Sequence, residues 1–209
     1  MRIPPEAAEN HPVQFQGSRL ARGLLRIMGW RVLFAGLPRL QGVAIVYPHT
    51  SNWDFIIGIL AKWSIGIPAH FWGKASLFQV PFLGRWLRWV GGLPIDRSGP
   101  RGAVGQMVDT YDMHTRQGRL LWLGLAPEGT RKRTPGWRSG FYQLALGADV
   151  PLGIVRLDWG RREVRFMEFL TLSGDEAADY AQLNALFEGV SGYHPEKACP
   201  ILAWRPGRD

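Results

Sequence analysis

His49 and Asp54 stand five positions apart in YPHTSNWDF, where the apolar run GVAIVYP gives way to a second one, FIIGIL. Side chains that share a helix face are three or four positions apart, so this pair meets only if the chain changes structure between them. With His49 ending a strand and Asp54 entering a helix, the carboxylate would accept a bond from one imidazole nitrogen and leave the other for a substrate. That is an oriented general base, a device that contributes about 10² to 10⁴-fold in rate. The residues alone also allow a second reading, because Ser51-x-x-Asp54 fits a variant capping box whose side chains satisfy free amides at the helix start. The chain holds no G-x-S-x-G elbow, and Cys199 lies in the tail segment EKACPIL. A base at His49 would therefore act without a protein nucleophile, and the substrate would supply the attacking hydroxyl. His11, His70, His114 and His194 show no ligand spacing, so no catalytic metal is expected.

Two further stretches place basic residues just after apolar runs. GGLPIDRSG carries Arg97, and LAPEGTRKRTPGWRSG carries Glu128, Arg131, Lys132, Arg133 and Arg138. Strand exits along one edge of an α/β sheet are where ligands bind, and arginines gathered there would hold a phosphate. Each stretch also reads as a solvated turn with ordinary surface charge. GKAS at 73–76 lacks the spaced glycine of a P-loop, which argues against a nucleotide triphosphate site.

The elements that must position these residues alternate between strand and helix. VAIVYP reads as a buried strand and SNWDFIIGILAKWS as a helix; GLPIDRS, RLLWLGLAP and VPLGIVRL read as further strands, the last pairing through DWGR with EVRFMEFL. Helical spacing recurs at VPFLGRWLRWVG, at 103–118, at WRSGFYQLALGA and at about 175–189. Near the N-terminus, SRLARGLLRIMGWRVLF predicts a basic amphipathic helix over about 18–36, with Leu20, Leu24, Ile27 and Met28 on one side and Arg19, Arg22 and Arg26 on another. Such a helix either packs on the core or lies on an anionic lipid surface. This alternation predicts an α/β fold, and 209 residues predict a single domain.

Composition narrows the partners. Hydrophobic residues are 46% and charged residues 20%, which places the chain among folded proteins. The net charge of +8 comes from a basic set with only four lysines, and arginine favours two-pronged contact with phosphate. Ten tryptophans favour a membrane interface or a ligand groove. Nucleic acid is not expected, since no zinc-finger or aromatic RNP pattern occurs. The longest apolar stretches are broken by Arg26, Arg31, Asp54 or Lys62, so no spanning helix is expected; the N-terminus carries prolines and acids where a secretory signal would be apolar. The single cysteine excludes an internal disulfide and fits a reducing compartment.

Four blocks in chain order, HTSNWD, GGLPIDR, PEGTR and VPLGIV, resemble the glycerolipid acyltransferases, the group that contains 1-acylglycerol-3-phosphate acyltransferase, over residues 40 to 155. The resemblance implies one α/β domain over 1–209, with a central mixed sheet flanked by helices. It implies acyl transfer from a coenzyme A or acyl-carrier-protein thioester to a lysophospholipid hydroxyl, with no bound cofactor. His49 would be the general base and Asp54 its orienting partner. Arg97 would contact the acceptor phosphate, Glu128, Gly129, Thr130 and Arg131 would bind the acceptor and shape the site, and Lys74 would add a basic contact. Pro94, Lys132 and Arg138 depart from the commonest pattern, which leaves the acceptor open between lysophosphatidate, other lysophospholipids and lyso-ornithine lipid. The protein is expected on the cytoplasmic face of a membrane, attached peripherally. A lipid binder without catalysis is the alternative expectation.

Overall fold

A computed structural model describes residues 12–95 and 102–205. Its strands are β1 (Arg31–Phe34), β2 (Gln41–Tyr47), β3 (His70–Lys74), β4 (Gly92–Ile95), β5 (Leu121–Leu125), β6 (Trp137–Arg138), β7 (Leu152–Asp158), β8 (Glu163–Leu170) and β9 (Ala203–Trp204). The central sheet runs β1-β8-β7-β2-β5-β3-β4, and β6 pairs with β9 in a separate ribbon. Within the sheet β7, β2, β5, β3 and β4 are parallel, while β8 returns antiparallel to β7 and carries β1 parallel to itself. The sheet is mixed, as expected. β2 sits at its centre, covered on both faces, which is why its sequence is a nearly unbroken apolar run and not an alternating one.

Helices cover both faces. The larger cluster packs Val43, Ile45, Leu123 and Ile154 against Tyr111 of α5 (Gly102–Arg116), Phe141 and Leu144 of α6 (Gly140–Gly147) and Leu183 of α7 (Glu176–Leu186). On the other face Leu157 and Val164 pack against Leu25 of α1 (Arg19–Ile27) and Ile57 and Ala61 of α2 (Trp53–Ile65). The short helices α3 (Ala75–Phe78) and α4 (Leu83–Trp89) link β3 to β4.

The N-terminal region departs from expectation in two ways. The helix expected over about 18–36 ends at Ile27: Gly29 takes a φ of 76°, Trp30 turns back to donate to Leu25 O, and Arg31–Phe34 becomes an edge strand beside β8. The helix also buries a narrower stripe than its apolar residues offered. Ala21 and Leu25 face the core, while Leu20 and Ile27 are 73% and 85% exposed.

Close approach fixes one glycine in the sheet. A Cβ on Gly42 would lie 2.3 Å from the ring of Trp122, which is fully buried and wedged edge-on against Phe166 and Phe169. The indole is further tied by its bond to Arg39 O at 3.1 Å, so it has nowhere to swing. Gly42→Ala should therefore cost about 1–3 kcal/mol through overpacking. Thermal unfolding checks this, and an unchanged Tm would show that the ring yields.

Candidate active site

The C-terminal ends of the parallel strands bring the predicted residues to one edge. β2 leaves the sheet through a cis Tyr47–Pro48 bond and presents His49; β5 ends at Leu125 and leads into Ala126-Pro127-Glu128; β3 ends at Lys74. His49, Gly129, Thr130 and Arg131 line a cavity of about 1320 Å³, joined by Lys132 and Arg138. Trp72, Leu125 and Phe141 give it apolar wall. A space of this size admits an acyl chain and a head group together.

The bend between His49 and Asp54 does what their spacing demands. Asp54 lies in the first turn of α2 and is 3% exposed. Its Oδ2 is 3.3 Å from His49 Nδ1 and accepts the backbone N–H groups of Thr50 at 2.6 Å and Ser51 at 2.7 Å. Ser51 Oγ in turn accepts the Trp53 amide at 3.2 Å. The two sequence readings are therefore both present: one carboxylate satisfies amides ahead of the helix and orients the imidazole. Because Nδ1 is taken, Nε2 is the nitrogen left for the cavity.

Oδ1 of the same carboxylate accepts the indole N–H of Trp159 at 2.7 Å, from the turn after β7. Trp159 is held edge-on between Trp30, with centroids 4.8 Å apart, and Tyr193 at 4.6 Å. Burial pushes the Asp54 carboxyl upward, but the bonds from His49, Ser51 and Trp159 outweigh it and hold the group below its ordinary 3.8. Asp54 is thus an anion throughout the neutral range, able to stabilise an imidazolium beside it.

Glu128 lies behind the cavity wall. It is fully buried, accepting the His49 amide on Oε2 and the Cys199 amide on Oε1 at 3.1 Å. Burial pushes its carboxyl up, against the lowering effect of those two amides. It shapes the site by fixing the backbone that carries the base, and its side chain is not on the cavity surface. Gly129, next in the chain, has a φ of 65°, and a Cβ there would fall 2.8 Å from Arg138 Cδ. Arg131 Nη1 donates to Asn52 Oδ1, which pins the PEGTR loop to the start of α2 and leaves other guanidinium donors at the cavity. Arg138 also lines it, with a buried Nε that has no hydrogen-bond partner among the described residues. Arg97 lies outside the described residues; Lys74 is placed by its backbone at the end of β3.

Sequence reasoning passed over two residues that the fold draws in. Trp159 is far from Asp54 in the chain, and nothing in DWGR marks an indole as a donor to a distant carboxylate. Cys199 comes from a tail segment yet is 1% exposed, its carbonyl accepting the Tyr47 hydroxyl at 3.0 Å and its thiol meeting Thr134. Burial pushes that thiol up, so it packs as a small apolar group.

The parallel strands of the mixed sheet thus bring a histidine–carboxylate pair and an arginine-lined cavity to one C-terminal edge. The Acyltransferase family profile matches residues 32–155, and the chain belongs to that family. Over 107 residues it is 30% identical to a 1-acyl-sn-glycerol-3-phosphate acyltransferase of Escherichia coli strain K12, covering 50% of this chain and 42% of that protein. The enzyme of the same description from Salmonella typhimurium is 31% identical over 108 residues, with the same shares covered. The matched region thus spans less than half the length of these relatives. The crystal structure of the 1-acyl-sn-glycerophosphate acyltransferase PlsC from Thermotoga maritima superimposes with a TM-score of 0.50 at 15% identity, over 80% of this chain and 73% of that one, and so shares the fold.

Two outcomes follow from these bonds. A carboxyl whose folded pKa is depressed contributes stability that is present above its unfolded pKa and lost as pH falls through the folded one. Trp159→Phe removes one of the bonds that hold Asp54 down, so the variant should be less stable at pH 7 by about 1.5–3 kcal/mol. Its loss of stability with falling pH should be smaller than in the parent and end at a higher pH, because the folded pKa moves up toward the unfolded one; superimposable stability–pH curves would deny the bond. Glu128→Gln places an amide NH₂ against one of two backbone N–H donors, which should cost about 1–3 kcal/mol by denaturant titration, and no change would mean that neither amide depends on the carboxylate.

Proposed function

We propose that the protein acylates the free hydroxyl of a lysophospholipid such as 1-acylglycerol-3-phosphate, drawing the acyl group from a coenzyme A or acyl-carrier-protein thioester. The observation that carries this reading is His49 at the cavity wall with Nδ1 bound to the buried Asp54 carboxylate. The acceptor hydroxyl gives its proton to His49 Nε2 as its oxygen attacks the thioester carbonyl. A C–O bond forms, the tetrahedral intermediate collapses with loss of the C–S bond, and the imidazolium returns the proton to the departing thiolate. Asp54 remains ionised throughout, stabilising the charge on the ring.

The Thr50 and Ser51 amides already donate to Asp54, so they are committed and do not serve the oxyanion. That charge falls instead to donors on the cavity wall, among them the guanidinium of Arg131, which is tied to Asn52 at the start of α2. Arg138, whose Nε is unpaired among the described residues, suits the acceptor phosphate, as does the expected contact from Arg97. The names of the curated relatives support lysophosphatidate as acceptor.

Purified protein incubated with acyl-coenzyme A or acyl carrier protein and a panel of lysolipids, lyso-ornithine lipid included, should yield a diacyl product by mass for lysophosphatidate first. His49→Ala should lower turnover by about 10² to 10⁴-fold. Turnover that survives this substitution would remove the imidazole from the chemistry, and lipid binding without any product would favour a non-catalytic binder.

A further inference from the structure

The excess positive charge of the chain sits in one stretch. Residues 12–95 contain nine basic side chains and a single acid, Asp54, whereas residues 96–209 contain fifteen basic and fourteen acidic ones. Asp54 is buried behind His49, so residues 12–95 contribute no surface carboxylate of their own, and Arg31, on the edge strand β1, is met by Glu163 at 2.8 Å.

Three helices from that stretch adjoin one another. Leu20 and Leu24 of α1, Leu60 and Trp63 of α2 and Trp89 of α4 wall a groove of about 640 Å³. Trp63 meets Trp89 edge to face with centroids 5.5 Å apart, and Phe55 meets Trp86 at 5.9 Å, so α4 runs along α2. Trp53, Ile56, Leu60 and Trp63 recur at three- and four-residue steps and form a ridge on α2, exposed at Trp53 and Ile56 and half-buried at Leu60 and Trp63. That ridge starts four positions after His49 and ends at the groove.

Bulky apolar side chains on these helices face water. Trp89 is 72% exposed and Phe82, at the start of α4, is 83% exposed. Phe82 is held in a three-residue turn with φ 63° and ψ −51°, closed by the Leu83 amide donating to Pro81 O at 2.7 Å. This turn is rare and strained for a residue with a side chain, and its product is a phenyl ring pointed away from the core. Arg85 and Arg88 on α4, and Arg22 and Arg26 on α1, are exposed among these residues.

We propose that α1, the ridge of α2 and α4 together form one docking face that rests on the anionic leaflet of a phospholipid bilayer. Phe82 and Trp89 insert at the acyl-chain boundary, and the arginines of α1 and α4 sit at the phosphate level. The face therefore extends well past the N-terminal helix, and the α2 ridge leads from the leaflet to the His49 edge. The face pairs exposed aromatic tips with arginines that carry no carboxylate from their own stretch, the combination an anionic bilayer takes with the rings at the acyl boundary and the guanidinium groups at the phosphates. Only the direction of substrate entry rests on the lipid-acylating function proposed above; the docking face stands on exposure and charge.

Sedimentation with phosphatidylcholine vesicles, with and without phosphatidylglycerol, tests the face. The protein should sediment with the phosphatidylglycerol vesicles, and Phe82→Ser/Trp89→Ser and Arg85→Ser/Arg88→Ser should each weaken that binding by about tenfold or more. Acyl transfer to a short-chain, water-soluble lysophosphatidate should stay within about twofold in both variants, since neither touches the cavity. Phe82→Ser alone, at a solvent-facing position, should show part of the same loss and guards against misfolding at Trp89. Vesicle binding that is absent in the parent, or unchanged in the Phe82 variants, overturns the proposal. So does an arginine dependence seen only with acyl carrier protein. A protein that sediments but transfers no acyl group retires the catalytic reading and leaves the face standing; one that transfers without sedimenting does the reverse.

Discussion

One buried carboxylate organises the site. Asp54, in the first turn of α2, accepts from two backbone amides, an indole and an imidazole: His49, Thr50 and Ser51 supply three of these donors from the bend after β2, and Trp159 supplies the fourth from the hairpin after β7. An anion taken out of water is tolerated only when its lone pairs are met, and here the donors are strong enough to hold its pKa below the ordinary range. The same bonds that make the charge tolerable also fix which ring nitrogen faces the cavity. Orientation of the base and closure of the strand-to-helix turn are one interaction.

A second carboxylate supports the first from the opposite side. Glu128 grips the His49 amide and the Cys199 amide, and so joins the β2 exit, the PEGTR loop and the C-terminal tail beneath the cavity floor. The two acids are perturbed in opposite directions because their partners differ: Asp54 faces four donors with an imidazole among them, Glu128 two backbone amides in a fully buried position. The basic residues are distributed to match. Arg131 and Arg138 reach the cavity, while the arginines of α1 and α4 are displayed on the outer surface of the other layer.

Much of this was legible in the residues. Parallel strands buried on both faces must be apolar runs, so β2, β5 and β7 announced themselves, and with them the edge on which His49 stands. The five-residue offset to Asp54 required a strand-to-helix bend, which β2 and α2 supply. What stayed hidden depended on facing or on distant contact. The four residues of β1 read as a continuation of α1, because pairing with β8 is invisible locally. The amphipathic pattern of α1 showed two sides but not which was inward, and the small Ala21 with Leu25 took the core while Leu20 and Ile27 were left outside. The indole of Trp159 and the peptide of Cys199 act through bonds that link positions far apart in the chain.

The central claim, that Asp54 fixes the tautomer of His49, is tested most directly by nitrogen chemical shifts of the His49 ring at a pH where it is neutral. The bonds described here predict a proton on Nδ1 and a bare Nε2, with that preference lost in Asp54→Ala. A proton on Nε2 in the intact protein, or the same tautomer with and without the carboxylate, would contradict the account.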